Sequence, residues 1–97
     1  MAGEDKTYVA WVRTQPCAAA HLGVCYGGIE AHHNREQTGL SLKPHDHQTI
    51  PLCRQHHAEW HSAAGTFSRM GKEARRRWGR RAVTATRRRW DGQGGGV

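Results

Sequence analysis

The stretch "IPLCRQHHAEWH", from Ile50 to His61, limits what this chain can fold into more than any other. A short apolar run ends in Cys53, and His56, His57 and His61 follow within eight residues. Only 36% of the 97 residues are hydrophobic. One small domain with so thin a core needs a metal, a disulfide or a partner to hold it. Three Cys cannot all pair within one chain. The start, "MAGEDKTYVAWV", lacks the apolar region of a signal peptide. No run approaches the ~20 apolar residues of a membrane span. The expectation is a cytoplasmic, reducing setting, where clustered Cys and His bind metal.

Charge is placed unevenly. The net charge is +7. Between Arg69 and Trp90, nine Arg and one Lys face a single Glu, which leaves nine positive charges in that segment alone. Arg69, Lys72, Arg75, Arg76, Arg77, Arg80, Arg81, Arg87, Arg88 and Arg89 are therefore the candidate nucleic-acid contacts. The preference for Arg over Lys suits bidentate phosphate binding better than solubility alone.

The pattern along the chain gives an α+β order. "KTYVAWVRTQ" forms a short helix with Tyr8, Trp11 and Val12 on one face, stopped by Pro16. A loop runs from Cys17 to Cys25. "IEAHH" and "QTIPL" are short strands, and Pro51 puts the second at an edge or a strand end. Between them lies a polar connection, "NREQTGLSLKPHDH". "CRQHHAEWHSAA" is a helix ending near Gly65. One or two Arg-rich helices follow to Trp90, with a possible break at Gly79 and with Trp78 and Trp90 docking them. Residues 1–6 and the Gly-rich segment 91–97 are read as disordered ends.

Two metal constellations emerge. Cys53 and His56 have C-x2-H spacing, and Cys17 and Cys25 can complete a closed Cys3His zinc site. The C-x7-C gap is long for a ligand pair, so His21 is an alternative to one cysteine. His57 and His61 are four residues apart on the helix and share a face. Adjacent His32 and His33 diverge on a strand, so one can join a second ion while the other serves as general base. Metal, base and basic surface together point to phosphodiester hydrolysis. No Gly-rich phosphate loop with Lys is present, which argues against an NTPase.

"C…C…EAHHN…D-x-x-TIPLC-x-x-HH-x-x-x-H" resembles the HNH (ββα-metal) endonucleases, especially small phage-type members such as the recombination-enhancement nucleases. The resemblance covers about residues 8–67. It implies a zinc-stabilised ββα-metal motif, here with an N-terminal helix and Arg-rich C-terminal helices. The domain organisation that follows is a nuclease core over 7–67 and a basic DNA-binding extension over 68–90. The resemblance makes His33 the base and His32, His57 and His61 the ligands of a catalytic divalent ion. Imidazole ligands favour Mn, Co, Ni or Zn over Mg for that ion. The middle Asn of the motif is replaced: its place falls on Gln48, with Asp46 and His47 close enough to do the orienting. The implied partner is DNA, with RNA also open, in a bacterial or phage-infected cell. The competing readings are a non-catalytic zinc-stabilised DNA-binding module and a basic structural protein of a ribonucleoprotein.

Overall fold

The computed structural model describes residues 5–34 and 46–95. The chain start, most of the polar connection and the last two positions lie outside the described residues. Asp5 opens helix α1 (Lys6–Val12) by accepting the Tyr8 backbone N–H on its carboxylate at 2.9 Å. Asp5 and Lys6, assigned by sequence to the disordered end, are thus part of the fold. Tyr8 and Val12 are fully buried one helical turn apart.

Strands β1 (Ile29–His33) and β2 (Thr49–Cys53) pair antiparallel, with His32 opposite Ile50 and His33 opposite Thr49. Among the described residues this is one two-stranded sheet. Every residue of β2 is buried, Pro51 included. A 3-10 turn, Asp46–Gln48, leads into β2, and α2 (Arg54–Ser62) leaves it directly. Cys53 makes that junction, since its Sγ accepts the His56 backbone N–H at 3.3 Å as the helix cap. The turn before β1 needs Gly27. Its φ is +86°, and a Cβ there would meet Arg54 Cβ at 2.7 Å.

Of the one or two basic helices that the sequence allows, the described residues hold one. One helix, α3 (Lys72–Gly95), runs straight through Gly79 and past Trp90. A glycine inside a helix costs ~1 kcal/mol against alanine, which is why a break was expected. Tertiary packing overrides that cost, because a Cβ at Gly79 would stand 3.1 Å from Nδ2 of the buried Asn34. Two aromatic groups dock α3 as anticipated. Trp78 packs on Trp60 and Phe67, each with ring centroids 5.3 Å away. Trp90 packs on Tyr8 and Trp11 at 5.2 and 5.1 Å. The core between them holds Ile50, Leu52, Cys53, Phe67 and Ala19. No helix among the described residues is long and apolar enough to cross a membrane.

Candidate metal centres and basic surface

Cys53 and His56 stand at the strand-to-helix junction, and the Cys17–Cys25 loop folds over them. Two turns within that loop, Ala20 N–H to Cys17 O and Leu22 N–H to Ala19 O, shorten the seven-residue gap. The Sγ atoms of Cys17, Cys25 and Cys53 lie 3.4, 3.7 and 3.3 Å from Nδ1 of His56. A tetrahedral zinc, about 2.3 Å from sulfur and about 2.0 Å from nitrogen, sets S and N roughly 3.6 Å apart. The set therefore fits a structural metal such as zinc. His21 is not part of it. It is exposed and lines a groove with Trp78 and Arg81 instead.

The thiols behave unequally without a cation. Burial, reinforced by hydrogen bonding to Cys17 and Cys53, pushes the Cys25 thiol up to about 12. Burial opposes ionisation of Cys53 too, but N–H groups of His56 and Tyr26 and the neighbouring thiols outweigh it and lower its pKa. Three thiolates this close repel, and a divalent cation removes that conflict.

The second cluster stands next to the first. Nε2 of His57 lies 3.2 Å from Nδ1 of His32 and 3.1 Å from Nε2 of His61. Three nitrogens on one tetrahedral ion would be roughly 3.3 Å apart, so this set also fits a metal. His32 is buried, His57 half-buried and His61 exposed, so the cluster opens to solvent on one side. Glu30, which the sequence reading passed over, accepts the Nδ1–H of His57 at 2.7 Å. This bond turns Nε2 of His57 toward the cluster and makes the ring a stronger donor. His57, and then Arg54, hold the Glu30 carboxyl below its usual range.

His33 points away from that cluster, as strand alternation requires. Its Nε2–H donates to Asp46 Oδ1 at 2.9 Å, which leaves Nδ1 as the basic nitrogen. Asp46 also accepts the Asp5 backbone N–H at 2.6 Å. Of the candidates for the middle position, Asp46 accepts from His33. Gln48 offers its backbone carbonyl to the Asn34 N–H at 3.1 Å, and His47 donates to Asp5 at 2.7 Å. Asn34, the last residue of the EAHHN stretch, and Asp5 have structural roles that no spacing announces.

The basic residues divide into three groups. Arg75 is a correction to the sequence reading. Its guanidinium sits 4.4 Å over the Trp60 ring and donates to the Trp60 carbonyl, so it pins α3 to the end of α2. At about 100° per residue, Arg76, Arg80 and Arg87 form one row along α3 and Arg77, Arg81 and Arg88 a second. All six are exposed. Arg69, Lys72 and Arg89 are exposed at the flanks.

Comparison with known proteins gives one family match. A family described as a protein of unknown function (DUF968) matches residues 1–80. The chain belongs to that family. The matched region takes in both metal-ligand sets and the first part of α3. One relative, the uncharacterized protein YdfU of Escherichia coli (strain K12), is 39% identical over 62 residues. Those residues are 62% of this chain and 17% of YdfU, so the chain spans a small part of that relative's length. No solved structure matches.

Proposed function

We propose that this DUF968 chain is a metal-dependent endonuclease of the HNH, ββα-metal kind that hydrolyses DNA phosphodiester bonds. A Cys3His zinc holds its fold and α3 binds its substrate. The carrying observation is the division of labour between His32 and His33. One joins two helix histidines in an open nitrogen cluster, while its neighbour is held separately by a carboxylate.

On this reading Asp46 accepts the Nε2–H of His33, and the Nδ1 lone pair takes a proton from the attacking water. The imidazolium formed then lies beside an ionised carboxylate that offsets its charge. A divalent cation held by His32, His57 and His61 would supply Lewis-acid stabilisation of the phosphate and leaving oxygen. The two Arg rows bind backbone phosphates without reading bases.

The test is cleavage of supercoiled plasmid by purified protein supplied in turn with Mg, Mn, Co, Ni and Zn. Nicking or linearisation that EDTA stops supports the proposal. If no ion gives cleavage of DNA or RNA while plasmid is still bound with a steep salt dependence, the chain is a zinc-stabilised DNA-binding module instead.

A further inference from the structure

A cleft of about 330 Å³ opens beside the nitrogen cluster. His32 and His61 line one part of it, and Lys72 and Arg76 from the first turns of α3 line another. Arg75 and Trp60 also line the cleft, and the stacking and carbonyl bond described above hold the Arg75 guanidinium on Trp60. Lys72 and Arg76 are different. They are four residues apart, so they share a helix face, and both are exposed. Among the described residues, Arg76 pairs with exposed Glu73 at 3.9 Å, a separation and setting that contribute little.

We infer that Lys72 and Arg76 form a phosphate-binding subsite facing the histidine cluster, so that α3 contributes directly to the reactive centre. The inference rests on the nuclease reading for its ligand class, a nucleic-acid phosphodiester. Two exposed cations across a small cleft from three imidazoles make a setting that an anion fits. A phosphate there would touch the cation held by the histidines on one side and the ammonium and guanidinium on the other. Arg offers a planar fork to two phosphoryl oxygens, and Lys a mobile point charge. Charge that builds on those oxygens during attack would meet both. Arg80, Arg81, Arg87 and Arg88 lie further along the helix and do not line this cleft. They hold the strand, and Lys72 and Arg76 hold the phosphate next to the reaction.

The subsite can be tested without catalysis. Protein loaded with Mn²⁺ broadens the ³¹P resonance of inorganic phosphate when phosphate sits near the ion. Lys72→Ala/Arg76→Ala should weaken that phosphate binding by about tenfold or more, the size expected on losing a charge-assisted hydrogen bond. Arg87→Ala/Arg88→Ala removes the same charge from the same helix and should change it by less than about twofold. Single-turnover plasmid cleavage at saturating protein supplies a second arm. There Lys72→Ala/Arg76→Ala should slow the reaction far more than Arg87→Ala/Arg88→Ala, although both weaken DNA binding. Equal effects of the two pairs on phosphate broadening, or no broadening by the parent protein, overturn the subsite. Phosphate broadening that depends on Lys72 and Arg76 in a protein that cleaves nothing leaves the subsite standing and sinks the nuclease reading. Cleavage that treats both pairs alike does the reverse.

Discussion

His56 and His57 are neighbours on one helix, yet they belong to two unlike clusters. His56 turns inward to three sulfurs and is 1% exposed. His57 turns toward two other imidazoles and an opening to solvent. The first set is closed, with four protein ligands and no room for a substrate, which is the hallmark of a structural ion. The second has three ligands and an accessible side, as a catalytic ion requires. One residue of helix, a rotation of about 100°, separates them. In a chain with so small a core, an ion held by the first set would replace missing apolar packing and also fix the helix that carries His57 and His61. Damage to the first cluster should therefore destroy the second, and damage to the second should spare the first.

The largest effect should come from the closed cluster. Cys53 is fully buried, caps α2 and supplies one sulfur. Structural zinc contributes ~10 kcal/mol or more of apparent binding energy, beyond what a small domain can lose. Cys53→Ser should leave the chain unfolded by circular dichroism and without zinc by atomic absorption. A folded Cys53→Ser protein that retains its metal would show that apolar packing alone suffices, and the contrast between the clusters would fail.

Next comes the pair on β1. His33→Ala should keep the fold, both metal contents and DNA affinity, while lowering cleavage by ~10² to 10⁴, the range for a positioned base. His32→Ala should also lose cleavage, but through loss of the second ion, measured as one metal equivalent fewer. If His33→Ala sheds the ion and His32→Ala retains it, the two roles are exchanged.

Glu30→Gln is a finer cut. The amide keeps the size of the side chain but no longer holds the Nδ1–H of His57 as a charged acceptor. Loss of such a supporting partner typically costs 10- to 100-fold in metal affinity. Titration with Mn²⁺ should show that loss while the closed cluster keeps its zinc. An unchanged Mn²⁺ affinity would make Glu30 a surface partner of Arg54 and nothing more.

Both ligand sets were readable because metals impose spacing. C-x2-H at a strand end and two His four residues apart announce themselves without tertiary information. The strands and α2 were likewise legible from apolar runs that end in candidate ligands. What stayed hidden depends on contacts distant in sequence. Gly79 looks like a helix break until Asn34 is seen against it. Arg75 looks like one more phosphate contact until Trp60 is beneath it. Glu30, Asp5 and Asn34 are single polar residues whose roles arise only when β1, α1 and α3 meet. Spacing alone left His21 open as a zinc ligand and put Gln48 ahead of Asp46 for the middle position; geometry leaves His21 outside the Cys3His group and brings Asp46 to His33.

The smallest effect expected is on pH dependence, and it concerns how His33 is held. The Asp5 backbone N–H, and then His33, hold the Asp46 carboxyl below the usual carboxylate range. The His47 side chain, and then the Tyr8 N–H, lower that of Asp5. A carboxyl with a depressed folded pKa stabilises the protein fully above its unfolded pKa and loses that stabilisation as pH falls through the folded value. Both groups therefore stay ionised from neutral pH down to about 5. Asp46 is only partly shielded from solvent, so its contribution is no more than ~1 kcal/mol. Acid also releases zinc from thiolates, so the useful quantity is the difference in melting temperature between the parent and Asp46→Asn at each pH. That difference should be small and should not fall between pH 8 and 5. Over the same range Asp46→Asn should depress cleavage at every pH without altering metal content, because the amide can present its N–H to His33 and trap the wrong tautomer. A melting difference that shrinks between pH 6 and 5 would mean that Asp46 titrates there. The carboxylate would then be too weakly held to keep the His33 base in place, and the assignment of Asp46 as its orienting partner would fall.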